Sequence, residues 1–124
     1  MTWEVEATNE FDDWYRHLPE TSQVASVNAV VEMLEEHGPA LGRPIVGEVD
    51  TSRERGPDRI HNLKELRIGS IRILFVFDPR RTAILLLGGD KSGEWKAWYE
   101  RAIPAAERLY AEYLSDLRNE GLIE

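Results

Sequence analysis

Arg67 and Arg72 flank the dipeptide Gly69-Ser70 in the stretch "LRIGSIRILF". A two-residue turn at Gly69-Ser70 is the commonest kind of hairpin connection. It sets Ile68 opposite Ile71, Arg67 opposite Arg72 and Leu66 opposite Ile73. Leu66, Ile68, Ile71, Ile73 and Phe75 then share one apolar face, and the two guanidiniums stand side by side on the other. Like charges directly opposite each other on a sheet are destabilising. The pair therefore calls for a nearby carboxylate such as Glu65, or for an anionic ligand. A phosphodiester suits it, because arginine offers a planar fork of donors to phosphate oxygens.

A second candidate stretch, "LLLGGDKSGEWKAWY", follows a few residues later. With Asp78–Arg81 as a four-residue turn, Leu87 falls opposite Arg72 and the chain leaves the sheet at Gly88-Gly89. Lys91 and Trp95 are thereby delivered to the arginine pair. Aromatic rings stack on unpaired bases, which is how single-stranded RNA is usually held. Arg67, Arg72, Lys91 and Trp95 thus form a candidate RNA site, with His61, after an arginine-rich loop, as a further candidate for contact or proton transfer. The structural alternatives stay open. Trp95, Trp98 and Tyr99 at helical spacing fit a core, "GGDK" lacks the spacing of a phosphate-binding P-loop, and an arginine pair is often salt-bridged. His17 and His37 sit near helix ends, where a dipole interaction accounts for them. Three such scattered histidines and no cysteine show no metal-ligand spacing, so no metal or cofactor is expected.

These residues need elements to hold them. "WEVEA" alternates like a short half-buried strand. Thr8 or Asn9 then caps a helix with Phe11, Trp14, Tyr15 and Leu18 on its apolar face, stopped at Pro19. Val24, Val27, Val31 and Leu34 stripe a second helix that ends at Gly38-Pro39. Residues 41–59 read as an irregular loop with a short strand near Ile45–Val49. Strands are expected over about 62–68, 70–77 and 82–87. A last helix carries Leu109, Tyr110, Tyr113, Leu114 and Leu117, with Pro104 marking its start. The order β-α-α-loop-β-β-β-α indicates an α+β fold with an antiparallel sheet, in one domain spanning 1–124.

The net charge of −8 argues against a generally basic nucleic-acid binder. Residues 1–42 hold one Arg/Lys against nine Asp/Glu, residues 43–101 twelve against nine, and residues 102–124 two against five. The positive charge is concentrated in the segment that carries the motifs, which permits an anionic ligand there. No apolar run is long enough to span a membrane. The acidic, patterned start reads as neither a secretory signal nor a transit peptide, and the lack of cysteine fits a reducing compartment, so a cytoplasmic protein is expected.

The stretches "HGPALGRPIV", "HNLKELRIGSIRILFVFDPRRTAILLLGGDKSGEW" and "WYERAIPAAERLY" resemble the Gp49-like branch of the HigB/RelE toxin superfamily, from about residue 37 to residue 114. The resemblance implies a RelE-like fold, two N-terminal helices packed on a small twisted antiparallel sheet with a C-terminal helix. It implies the toxin of a type II toxin–antitoxin pair, a metal-independent endoribonuclease that cuts mRNA on the ribosome and so inhibits translation. Its partner would be a HigA-like helix-turn-helix antitoxin, expected to use an acidic or apolar segment that covers the arginine patch or wedges a mobile element open. Under the resemblance Arg67 and Arg72 neutralise the transition state, Lys64 or Lys91 helps to remove the 2′-hydroxyl proton, Tyr99 or His61 protonates the leaving oxygen, and Trp95 stacks on a base. The alternative is a RelE-fold binding module that acts in regulation with an antitoxin-like DNA-binding partner and does not cleave RNA. A third possibility is a metal-free nuclease acting on free RNA.

Overall fold

The computed structural model describes residues 2–124. Its elements are β1 (Val5–Ala7), α1 (Asn9–Arg16), α2 (Thr21–His37), β2 (Val46–Glu48), β3 (Lys64–Ile68), β4 (Ile71–Phe77), β5 (Ala83–Asp90) and α3 (Trp95–Asn119), with a 3-10 turn at Gly38–Ala40. The strands form one sheet in the order β1-β5-β4-β3-β2. Pairing is antiparallel from β2 to β5, and β1 adds a parallel edge against β5.

Alternation along the strands gives the sheet two faces, and helices cover both. On one face Leu66, Ile71, Ile73, Phe75, Ala83 and Leu85 pack with Phe11 of α1 and Val27 and Leu34 of α2. On the other, Leu74, Val76, Ile84 and Leu86 pack with Ala102, Ala106 and Leu109 of α3. Thr8 joins the layers: its hydroxyl accepts from the Phe11 N–H as the α1 cap and donates to the Leu86 carbonyl at 2.6 Å. A side-chain cap of this kind satisfies one of the helix's free N–H groups.

The β3–β4 hairpin has the expected register, with Arg67 opposite Arg72 and Gly69 at φ +59° in the turn. Three expectations require correction. β5 does not end at Gly88-Gly89 but runs on to Asp90, so Gly89 and not Leu87 lies opposite Arg72. The offset of two arises because Phe77 pairs with Ala83, and because an irregularity between Leu74 and Phe75 skips Leu86. Two one-residue shifts restore the parity, so the faces are unchanged. Finally, α3 begins at Trp95, and Pro104 lies inside it. Pro104 is exposed, so the Glu100 carbonyl it leaves without a donor is on the water side, where its loss is tolerated.

Candidate functional site

The site is built on the α3 face of β3 and β4. Glu65, Arg67 and, across the hairpin, Arg72 all project to that side, and Glu65 is almost fully covered, at 5% side-chain exposure. The Arg67 Nε–H donates to Glu65 Oε2 at 2.9 Å, while Arg72 Nε lies 3.8 Å from the same oxygen. Glu65 is thus the counter-charge that the arginine pair demands. Its other oxygen, Oε1, accepts the Tyr99 hydroxyl at 2.5 Å, a length typical of a charge-assisted bond. Burial, then the Glu65 carboxylate, push the Tyr99 phenol up to about 12, against a lowering by Arg72. The hydroxyl therefore keeps its proton at neutral pH.

Arg72 is 12% exposed, and its Nη1 donates to the Gly69 and Ile71 carbonyls at 2.6 and 2.9 Å. Its Nε is buried without a hydrogen-bond partner. Arg67 is more open, at 37%, and its guanidinium lies across Gly47 of β2. A Cβ at Gly47 would sit 2.2 Å from Arg67 Nη2, so the glycine is what lets the side chain lie flat.

The double glycine of β5 has a packing reason. A Cβ at Gly88 would stand 2.4 Å from the Trp14 ring, and one at Gly89 would stand 2.3 Å from Trp98 Nε1. One tryptophan thus presses on the strand backbone from each face. Trp98 in turn packs edge-on against Tyr99, with ring centroids 5.0 Å apart, and so fixes the phenol over Glu65. This role of Trp98 was open in the sequence, where its spacing fitted core and site alike.

The remaining candidates are dispersed. Lys91 follows β5 directly, and its backbone N–H donates to the Ser70 carbonyl at 3.0 Å, which brings it to the hairpin turn. The adjoining Asp90 carboxyl is held below its ordinary range, first by the Ser92 N–H at 2.8 Å, and this bond shapes the turn into α3. Trp95, at the start of α3, is 57% exposed and sits near Tyr99 with centroids 6.3 Å apart. Lys64 requires correction as a site candidate: the hairpin register, which is the expected one, puts it on the opposite face from the arginines, and it pairs with Glu48 at 4.0 Å. His61 is also displaced, exposed in the turn before β3 and outside the cavity beside Tyr99.

That cavity, of about 410 Å³, lies between the loop after β2 and the first turns of α3. Glu65, Tyr99 and Trp95 line it, together with Asp50, Glu54 and Glu100, against only Arg53 and Lys96. Carboxylates thus outnumber cations on its walls, which disfavours an anionic ligand inside it. No sequence pattern announced this lining, because its carboxylates come from three separate segments.

Residues 13–111 match the family described as phage derived protein Gp49-like. The chain belongs to this family. This Gp49-like chain is 49% identical over 100 residues to a protein of Mycobacterium tuberculosis named as toxin HigB3, a match covering 79% of the chain and 82% of that relative. It is 47% identical over 98 residues to a second protein of that organism named as toxin HigB2, covering 75% of the chain but only 46% of that longer relative. Among solved structures, the RelE-RelB complex of Pyrococcus horikoshii OT3 aligns with a TM-score of 0.57 at 16% identity, over 75% of this chain and 99% of that one. The RelBE2 toxin-antitoxin complex of Mycobacterium tuberculosis aligns at 0.54 and 15% identity, over 73% and 99%. The Gp49-like chain therefore has the RelE-like fold. Among its described residues, no helix is long and apolar enough to cross a membrane.

Proposed function

We propose that the chain is the toxin of a type II toxin–antitoxin pair and cleaves mRNA on the ribosome. The observation that carries this reading is the Arg67/Arg72 pair set opposite across a hairpin and tied through Glu65 to the protonated Tyr99. Relatives at 47–49% identity that are named as toxins support it. In this mechanism a 2′-hydroxyl attacks the adjacent phosphorus, a cyclic phosphate forms, and the bond to the 5′ oxygen breaks. Arg67 and Arg72 stabilise the extra negative charge on the phosphoryl oxygens. Tyr99 gives its proton to the departing 5′ oxygen, and Lys91 takes the proton of the 2′-hydroxyl. Trp95 stacks on a neighbouring base. In this reading the cleavage is metal-independent and runs on these side chains alone. An antitoxin of the helix-turn-helix class covers the arginines in the resting pair.

A second reading is favoured by one observation, the acidic cavity beside arginines that are already partnered internally. In it the fold binds a basic partner protein and cleaves nothing. Expressing the chain alone, beside an Arg67→Ala/Arg72→Ala double variant, separates the two. Growth arrest with mRNA cleavage in the wild type only is the expected result. A soluble, folded wild type that neither arrests growth nor cleaves mRNA selects the binding module.

A further inference from the structure

We propose that Glu65 is the positioning residue of this site, holding Arg67 and the Tyr99 hydroxyl in place so that the outer edge of the Arg67 guanidinium faces a phosphate. The inference rests on the proposed cleavage reaction for its kinetic consequences, but the tie itself is a property of the free protein. The geometry separates this role from simple neutralisation. Arginine–carboxylate pairs are frequently two-pronged, with two parallel N–H···O bonds. Glu65 instead accepts from Arg67 Nε, and both terminal nitrogens of Arg67 make no hydrogen bond to any described residue. Nη2 lies over Gly47, where no side chain stands in its way.

The other oxygen of Glu65 is engaged just as directionally. Oε1 takes the Tyr99 hydroxyl, so the one carboxylate sets the distance between the charge-stabilising arginine and the proton donor. Glu65 is itself held by burial between β3 and α3, at 5% exposure, and cannot wander. The orphaned Arg72 Nε, 3.8 Å from Oε2, is one short shift away from a third bond to the same group. A misplacement of about 1 Å between reacting groups can cost about a hundredfold in rate, so such a hub has a measurable effect.

The test compares wild type, Glu65→Gln, Glu65→Ala and Tyr99→Phe, each checked for folding by circular dichroism and thermal melting. The first readout needs no RNA. A downfield hydroxyl proton is expected in the proton NMR spectrum of the wild type, lost in Tyr99→Phe and in Glu65→Ala. Its persistence in Glu65→Ala, or its absence from the wild type, overturns the proposal. The second readout is cleavage of an mRNA bound to bacterial ribosomes. Glu65→Ala is expected to lower kcat about a hundredfold and to raise KM, while Glu65→Gln, which keeps one acceptor oxygen, recovers about tenfold of that loss. A glutamine variant as inactive as the alanine variant, with KM unchanged in both, marks Glu65 as a proton acceptor and overturns positioning. A wild type that cleaves nothing defeats the proposed function alone, since the NMR arm still decides whether Glu65 holds the phenol.

Discussion

Glu65 and Gly47 show how much a single residue decides here. Two opposed guanidiniums on adjacent strands repel, and a buried carboxylate between them converts the repulsion into a network of ion pairs. Gly47 contributes by absence, since its missing Cβ is the space in which the Arg67 guanidinium lies. Gly47→Ala is therefore expected to change stability by less than about 1 kcal/mol, because the displaced atoms are the far end of a flexible side chain. The same change is expected to reduce mRNA cleavage by about tenfold or more, since Arg67 must leave its seat. Melting curves alongside cleavage rates on ribosomes check it, and a fully active variant would remove Arg67's placement from the mechanism. The arginine register was legible in the sequence, because a two-residue turn leaves little freedom to the hairpin. The Tyr99–Glu65 bond was not, because it joins groups 34 residues apart across two elements.

At the scale of elements, α3 organises the site, and it does so with an early start. Beginning at Trp95 rather than near Pro104, it places Trp98 on Gly89 and Tyr99 on Glu65 within its first turns. A proline in a helix interior removes one hydrogen bond and crowds the preceding turn. Pro104→Ala is thus expected to stabilise the protein by about 1 kcal/mol or more, read as a higher melting temperature. An unchanged or lower melting temperature would mean that the proline's local geometry is needed for α3 to reach both Gly89 and Ile60. Sequence signals favoured a proline as the helix start because that is its commonest helical position. Packing of Ala102, Ala106 and Leu109 against the sheet outweighs that local preference.

Across the whole molecule, charge is divided between a basic central segment and acidic flanks, and one acidic group of the last helix secures the central loop. Glu107 of α3 is buried and accepts the Ile60 N–H at 2.9 Å, while Thr51 donates to the Ile60 carbonyl at 2.6 Å. Burial, helped by the nearby Glu54 carboxylate, holds Glu107 above its ordinary range, against the lowering effects of the Ile60 N–H and Arg59. A carboxyl raised in the folded state contributes stability that is present at low pH and lost as pH rises through its folded pKa. Glu107→Gln cannot ionise and keeps an acceptor for Ile60. The melting temperature of the glutamine variant relative to wild type is therefore expected to be more favourable at pH 7 than at pH 4. A difference independent of pH would show that Glu107 ionises in the fold as readily as in the unfolded chain.

What the sequence by itself determined is what local chemistry dictates: the capped first helix, the striped second, the hairpin at Gly69-Ser70 and the opposed arginines it produces. Each follows from periodicity or turn geometry over fewer than twenty residues. The same register named Glu65 as a counter-charge and turned Lys64 away from the arginines. Only the tertiary structure decided that Glu65 rather than a ligand answers the pair in the free protein, which tryptophan each glycine of β5 receives, and that Tyr99 faces in. These outcomes depend on the shift at the β4–β5 irregularity and on where α3 docks. Both are settled by burying apolar surface on two faces of one sheet, a free energy to which the whole chain contributes and no single segment can reveal.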